Sequence, residues 1–231
     1  MGRPTRAISW IKSAREAFDA FPDGAKEDAV EALAVIAEGG TPDIAKPLTG
    51  LGSGVWELAI KERGDAFRVV YALQLDDDIW VVHAFQEKSK GGPEKIEERD
   101  RDAPARDRPR GRMHQTAEGG PGMTDDDEFE LVRGSGNIFA DLGMPDADMR
   151  QLRAKLAAEI IKTLDAEHLS TRAAEKRTGT PAADFSRIRN AKLTGFTADR
   201  LMTILHRLDR EVLVTVAPIG AGRERRQIVQ D

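Results

Sequence analysis

Six cationic side chains lie in or next to three predicted strands within the first 90 residues: Lys61, Arg63, Arg68, His83, Lys88 and Lys90. For Lys61, Arg63 and Lys90, solvated strand and turn charges are the simpler interpretation. Arg68 differs because it lies in the middle of an apolar strand. An arginine on a half-apolar strand face is usually held by an anionic partner, inside the protein or outside it. The sequence therefore predicts an anion-binding group at Arg68.

A second set of polar and basic residues falls around a short helix near residues 180–190. A recognition helix needs small or polar residues at its start, basic groups for phosphates and an apolar flank, which Phe185 and Ile188 supply. The spacing of helix, break at Gly179 and helix is typical of a helix-turn-helix, although an ordinary α-hairpin with solvated charges fits it equally. The candidate DNA contacts are Thr171, Arg172, Thr180, Ala182, Ala183, Asp184, Ser186, Arg187, Arg189 and Lys192.

Alternation of apolar and polar residues predicts the strands that position the first set. They run over residues 56–61, 67–73 and 79–85, and short polar turns at Gly64-Asp65 and Asp76-Asp77-Asp78 join them into an antiparallel meander. Side chains alternate between the two faces of a strand, so Tyr71 falls on the face opposite Arg68 and is interpreted as core.

Two helices are predicted before these strands. The first covers residues 14–20 with Ser13 as its N-cap, and the second opens at Pro22 and stops at Gly39-Gly40. Helices on one face of an antiparallel meander make an α+β layer fold. The part of the chain after residue 128 is predicted to be mainly helical, with a short final strand over Val212–Val216.

Composition limits the classes of protein to which the chain can belong. It has 231 residues, a net charge of -5 and no cysteine, which excludes disulfides, thiolate metal sites and a cysteine nucleophile. No apolar run approaches the ~20 residues of a membrane span, and residues 1–10 contain no secretory signal. We therefore expect a cytoplasmic protein that contacts no membrane and uses no metal or cofactor.

The middle of the chain is rich in glycine, proline and charge, and it has few large apolar residues. Such a segment cannot bury a core of its own. We therefore predict a first domain over residues 1–102, a flexible linker over 103–128 and a second domain over 129–231.

Three motifs of the first domain, in order along the chain, resemble the RelE/HigB superfamily of toxins in its phage-like HigB branch. They are Ala45-Lys-Pro-Leu-Thr-Gly-Leu-Gly-Ser-Gly-Val-Trp-Glu-Leu, Phe67-Arg-Val-Val-Tyr-Ala and Val82-His-Ala-Phe-Gln-Glu-Lys-Ser-Lys. The resemblance implies a metal-independent RNA endonuclease that cuts mRNA on the ribosome. It implies Arg68 as the phosphate stabiliser and Lys88 as an acid or phosphate ligand, with His83 and Lys61 as weaker candidates. Such toxins usually continue with Thr-Pro and a basic helix, whereas here Gly91-Gly-Pro follows.

The second domain resembles XRE-type helix-turn-helix antitoxins of the HigA kind. The matching positions are Leu169, Ala173-Ala174, Gly179, Pro181, Phe185-Ser186, Ile188, Phe196, Leu201 and the strand Val212–Val216. The resemblance implies a domain that binds a toxin and represses its own promoter, as a homodimer on operator DNA.

Together the two resemblances indicate a toxin fused to its antitoxin, which neutralises it in cis or between two chains. One alternative is a DNA-binding regulator that carries an inactive toxin-like domain, which the changed sequence after Lys88 favours. Another is a fusion of two proteins that are normally made apart, since Met123 resembles a start.

Overall fold

A computed structural model of the chain describes residues 5–48, 54–75, 78–87 and 130–215. Lys88, Lys90 and the predicted linker lie outside these residues. The described strands form one sheet in the order β2-β3-β4-β5-β1-β6. They are β1 Ile8–Ile11, β2 Ala45–Pro47, β3 Val55–Glu62, β4 Asp65–Leu75, β5 Asp78–Glu87 and β6 Leu131–Val132.

The predicted meander is confirmed, because β3, β4 and β5 pair antiparallel in sequence order. Two other pairings were not predicted. β1 lies parallel to β5, with Ile8 opposite Ile79. β6 pairs antiparallel with β1, with Ile11 opposite Leu131, so a segment that follows the long central region adds the last strand of the first domain's sheet.

Two helices cover one face of this sheet: α1 Lys12–Asp19 and α2 Asp23–Ala37. The predicted cap at Ser13 is wrong, because α1 begins one residue earlier and Ile11 holds the N-cap position without a side-chain hydrogen bond. Pro22 does precede α2, and its fixed φ suits the start of a helix. Gly39 follows α2 with a φ of 83°, a conformation that glycine adopts without steric cost.

The C-terminal part is helical, which confirms the α+β class. Its helices are α3 Ile138–Asp141, α4 Ala147–Ala166, α5 Thr171–Thr178, α6 Ala182–Arg189 and α7 Ala198–Arg207. The Ser170 hydroxyl accepts a hydrogen bond from the Ala173 N–H and caps α5. Gly179 ends α5 with a φ of 70°, so α5, a tight break and α6 form the predicted helix-turn-helix.

The predicted strand over Val212–Val216 is not formed by its described residues, Val212–Thr215. A strand needs a hydrogen-bonded partner, and no described backbone group pairs with this segment. Val212 packs against the core, whereas Leu213 and Val214 are 82% and 75% exposed.

The hydrophobic core is continuous across both parts of the chain. Ten of the fifteen residues of α2 are buried, because the sheet lies on one side of this helix and α4 on the other. At the end of α2 the backbone approaches α4 so closely that a Cβ on Gly40 would lie 3.1 Å from the Cα of Ala158. Among the described helices, none has the length and apolar composition that a membrane crossing requires.

Candidate functional sites

Three of the four candidate catalytic residues share the sheet face that α1 and α2 leave open, here called the outer face. The strand register sets Arg68 opposite Phe85, Val70 opposite His83, and Lys61 opposite Ala66. Directly opposed side chains point to the same side of a sheet. Lys61, Arg68 and His83 therefore lie on the outer face, while Lys88 lies outside the described residues.

Arg68 is held by two carboxylates of the neighbouring strands. Its Nη2 donates to Glu87 Oε2 at 2.6 Å, and its Nε lies 3.5 Å from Glu57 Oε1. The side chain is four-fifths buried, and its Nη1 finds no hydrogen-bond partner among the described residues. The carboxylates fix the guanidinium plane, and Nη1 is both unpaired and buried from solvent, so a phosphate oxygen could reach this donor only if the groups that cover it moved aside.

Exposed rings lie beside this guanidinium. His83 and Phe85 have ring centroids 5.1 Å apart and planes 30° from parallel. Exposed rings on a strand face can stack nucleic-acid bases, and an imidazole can carry a proton near neutral pH. Tyr71 lies on the opposite, helix-covered face and is fully buried, as predicted. Burial raises the pKa of the Tyr71 hydroxyl.

Lys61, opposite Ala66, lies on the same face as Arg68 and one same-face pair further along β3, next to a cleft that the C-terminal part of the chain also lines. Lys61 makes no ion pair with the described residues. It borders a cleft of about 310 Å³ that Asp28, Asp43 and Lys192 also line. Within the described ranges, no group of three or more histidine and acidic side chains is arranged to hold a metal ion.

The candidate DNA contacts divide into exposed and buried groups. Arg172, Ala183 and Ser186 are exposed, and Thr171, Ala182 and Arg187 are partly exposed. In contrast, Thr180 is 6% and Asp184 8% exposed, and Asp184 pairs with Arg200. Thr180 and Asp184 therefore stabilise the turn and the base of α6 rather than presenting their side chains to a ligand.

The last two candidate DNA contacts, Arg189 and Lys192, are joined to the N-terminal domain. Arg189 Nη1 lies 3.4 Å from Asp43 Oδ1, and its carbonyl accepts the Asp43 N–H at 2.7 Å. Lys192 Nζ lies 3.0 Å from Asp28 Oδ2. Both cations belong to the boundary between the two domains, which sequence periodicity alone could not indicate.

Most ion pairs at the boundary join acids of the N-terminal domain to bases of the C-terminal domain. Four ion pairs join an acid of the N-terminal domain to a base of the C-terminal domain, with distances of 2.9–3.9 Å: Glu27–Arg150, Asp28–Lys192, Glu38–Lys155 and Asp43–Arg189. Lys12 with Glu130, beside β6, has the reverse polarity. Complementary charge of this kind selects one docked orientation more than it adds affinity.

Glu31 is a buried acidic residue of this boundary that sequence reasoning missed. It is 3% exposed in the middle of α2, and its Oε2 accepts the N–H of Leu193, four residues after the end of α6, at 2.7 Å. Burial raises the pKa of Glu31 to about 7, although the hydrogen bond from Leu193 opposes the shift. The signal was a glutamate inside the apolar run Ala29-Val-Glu-Ala-Leu, the same kind of signal that identified Arg68.

The chain is similar to known proteins over two separate parts of its length. Residues 16–108 match a family described as phage-derived protein Gp49-like, and residues 138–217 match a helix-turn-helix domain family. A solved structure described as an XRE family transcriptional regulator is 36% identical; the match covers 38% of this chain and 98% of that one, with a TM-score of 0.33. Comparison with curated proteins gives no match.

Proposed function

We propose that the chain is a type II toxin–antitoxin pair fused in one polypeptide, because residues 16–108 match the Gp49-like family and residues 138–217 match a helix-turn-helix domain family. The N-terminal domain, residues 1–102, is a metal-independent endonuclease of the RelE/HigB type that cuts mRNA on the ribosome. Residues 103–128 are the linker. The C-terminal domain, residues 129–231, is a HigA-like antitoxin that neutralises the toxin and represses its own operator in the cytoplasm.

The outer face supports RNA cleavage through the 2′-hydroxyl. In that reaction the 2′-oxygen attacks the adjacent phosphorus, its proton passes to a general base, and the leaving 5′-oxygen takes a proton from an acid. Arg68 would bind the phosphate oxygens once its buried, unpaired Nη1 becomes accessible, with Glu57 and Glu87 as positioning residues. His83 would exchange one of the protons and Lys88 would serve as the second acid or phosphate ligand. Lys61, on the same face, is the weakest candidate.

The single observation that carries the proposal is the Arg68 arrangement on an open sheet face, in a Gp49-like domain docked on an antitoxin-like one. The docked helices contact α2 on the side away from the sheet and not the outer face on which Arg68 lies. Near the edge of the outer face, Arg133 approaches Trp80, with 5.8 Å between the guanidinium carbon and the ring centroid. We infer that neutralisation occurs in cis. The docked C-terminal domain would keep the toxin domain off the ribosome by its bulk, and it would not cover Arg68 directly.

Growth of a bacterial host tests the enzyme proposal. Residues 1–110 are induced alone, beside the same fragment with Arg68→Ala and beside the full chain. We expect only the unmutated fragment to arrest growth, because loss of one preorganised charge donor costs roughly 10²–10³-fold in rate. Soluble fragment that cleaves no mRNA would instead support the alternative function.

That alternative is a DNA-binding regulator with an inactive toxin-like domain. One observation favours it: Glu57 and Glu87 already neutralise the charge of Arg68. In this case both fragments would be inert, and DNA binding by the full chain would be unchanged by Arg68→Ala.

DNA binding would use the exposed side of the helix-turn-helix, with Thr171, Arg172, Ala182, Ala183, Ser186 and Arg187 toward the duplex. Lys192 is paired with Asp28 of the docked domain, and Arg189 is paired with Asp43 of that domain at 3.4 Å and with Asp165 of its own domain at 2.8 Å. A phosphate would have to compete with these carboxylates for the two cations. The docked N-terminal domain therefore weakens the nonspecific part of DNA binding.

Removing the two carboxylates should strengthen DNA binding. We expect Asp28→Asn with Asp43→Asn to raise affinity for a nonspecific duplex severalfold and to steepen the log–log salt slope by about 1, since one new phosphate contact adds ~0.9 and Arg189 keeps its ion pair with Asp165. Partly exposed ion pairs contribute at most ~1 kcal/mol each, so the domains should stay docked. The matched control, Glu16→Gln with Asp65→Asn, removes the same charge away from the boundary. Fluorescence anisotropy of a labelled duplex, measured over a range of salt concentrations, gives the slope for each protein. Equal slopes in the two double variants would show that Asp28 and Asp43 do not compete with DNA phosphates for these cations.

A further inference from the structure

Arg133 lies on the outer face, although it belongs to the part of the chain that follows the predicted linker. It comes directly after β6, and Val132 is opposite Trp10, which is buried under the helices. Because side chains alternate between the two faces of a sheet, Arg133 is directed to the other side. Its guanidinium carbon lies 5.8 Å from the ring centroid of Trp80, which the register also places on that side. The second part of the chain therefore adds an exposed cation to the face that carries Arg68.

The backbone that carries Arg133 is held against β1. The Gly134 N–H donates to the Ser9 hydroxyl at 3.3 Å, and Ser9 is fully buried. A Cβ on Gly134 would lie 2.2 Å from the carbonyl oxygen of Ile8, so only glycine fits this approach. Because its backbone is fixed and its guanidinium lies beside an aromatic ring, Arg133 loses little freedom when it binds a ligand. It is therefore a preorganised cation at the rim of the sheet.

The positions of Arg68, His83 and Arg133 form a diagonal across the outer face. Arg68 is on β4, His83 is on β5 one same-face row further along, and Arg133 lies beyond β1 at the row of Trp80. With ~4.8 Å between strands and ~3.3 Å per residue, the diagonal is about 20 Å long. A ligand that contacts both arginines must therefore be extended.

Cations at both ends and rings along the way suit a single nucleic-acid strand. Proteins that bind single strands combine basic groups that follow the phosphates with rings on which the bases stack. On this face the arginines lie at the two ends of the diagonal, and the exposed rings of His83 and Phe85 lie along it. A duplex hides its bases from such rings, so the arrangement favours an unpaired strand.

We propose that Arg133 is a substrate-binding residue of the outer face, which binds a backbone phosphate of single-stranded RNA several nucleotides away from the phosphate proposed for Arg68. The inference rests on the proposed nuclease function for the identity of the strand and on the strand register for the location of the site. It gives the chain after the linker a second role. Besides neutralising the N-terminal domain, this part of the chain completes that domain's RNA-binding face.

Anisotropy of a labelled 12-nucleotide single-stranded RNA, titrated with the full chain over a range of salt concentrations, tests the proposal. Arg133→Gln should weaken binding roughly tenfold, the effect of losing one charge-assisted contact. It should also lower the log–log salt slope by ~0.7, the contribution of one phosphate contact with a single strand. Arg133→Lys keeps the charge and should retain the slope, which a purely structural role of the arginine would not predict.

Arg15→Gln is the matched control. Arg15 also lies beside a tryptophan, with its guanidinium carbon 5.7 Å from the ring centroid of Trp10, but it belongs to α1 on the covered side of the sheet. The substitution therefore removes the same charge without changing the outer face, and the salt slope should match that of the wild type. Circular dichroism of both variants verifies that the fold is unchanged.

Two results would overturn the proposal: a wild-type chain that binds no single-stranded RNA, or equal slopes in Arg133→Gln and Arg15→Gln. The proposed nuclease is tested separately. If residues 1–110 do not arrest growth while RNA binding depends on Arg133, the nuclease activity is rejected and the RNA-binding face is retained. If they arrest growth while Arg133→Gln binds RNA like the wild type, only the Arg133 site is rejected.

Discussion

Gly40→Leu in the full chain is expected to arrest bacterial growth, whereas the wild-type full chain should not. A Cβ at residue 40 would lie 2.8 Å from Val35 Cγ1, 3.1 Å from Ala158 Cα and 3.2 Å from Ala158 Cβ. One of these atoms belongs to the backbone of α4, so it cannot move unless the helix moves. A methyl group already overpacks this contact, and overpacking costs about 1–3 kcal/mol. A leucine side chain should therefore force the two domains apart.

Two variants show whether any arrest comes from the released domain. Gly40→Leu combined with Arg68→Ala should restore growth, because the domains separate but the proposed phosphate-binding group is gone. Gly24→Leu is the matched steric control: its Cβ would lie 2.7 Å from Glu62, but that contact is with the end of a flexible side chain. Growth arrest that persists in the double variant would show that Arg68 has no part in the toxicity.

Glu31→Gln is expected to stabilise the protein at pH 8 by up to about 3 kcal/mol and to leave it nearly unchanged at pH 4.5. The pKa of Glu31 is about 7 in the folded chain and 4.5 in its ordinary state, so the folded chain binds the extra proton between these values. This contribution is complete below pH 4.5 and is lost as the pH rises through about 7. A shift of one pKa unit corresponds to 1.36 kcal/mol, which sets the scale.

Urea unfolding at pH 5, 6, 7 and 8 measures the difference between wild type and variant. Glutamine keeps an oxygen that can accept the Leu193 N–H, so the comparison isolates the charge. Glu16→Gln, in the exposed part of α1, is the control and should differ from wild type by the same small amount at every pH. A difference for Glu31→Gln that does not grow between pH 5 and 8 would show that the carboxylate is not desolvated in the folded chain.

The regular parts of the fold could be predicted from the sequence because local patterns determine them. Alternation identified β3 to β5, and Gly179 with the apolar flank of Phe185 and Ile188 identified the helix-turn-helix. The pairing of β1 with β5 and of β6 with β1 could not be predicted, because each strand has only two to four residues and its partner lies far away in sequence. The final strand was predicted from composition, but a strand forms only where a second strand is available.

The candidate site residues also fall into those that a local pattern could predict and those that depend on contacts with distant parts of the chain. The mid-strand position of Arg68 predicted an anionic partner, and Glu57 and Glu87 lie within ion-pair distance of it. For Arg189 and Lys192, helical spacing indicated charge but not whether DNA or another domain would receive it. Glu31 lies in α2, which packs against the sheet on one side and against α4 on the other. Nothing in the local sequence of α2 indicates that α4 packs on it.

The order of the two domains sets a delay during translation. Between the end of β5 and the start of β6 lie 43 residues, and α4 is complete only at Ala166. At ~5–20 residues per second, synthesis of residues 88–166 takes about 4–16 s. Each newly made N-terminal domain therefore spends several seconds with an unpaired β1 edge and without its docked partner, while still tethered to a ribosome. If that domain is a toxin of ribosome-bound mRNA, the message that encodes it is the nearest substrate during this interval.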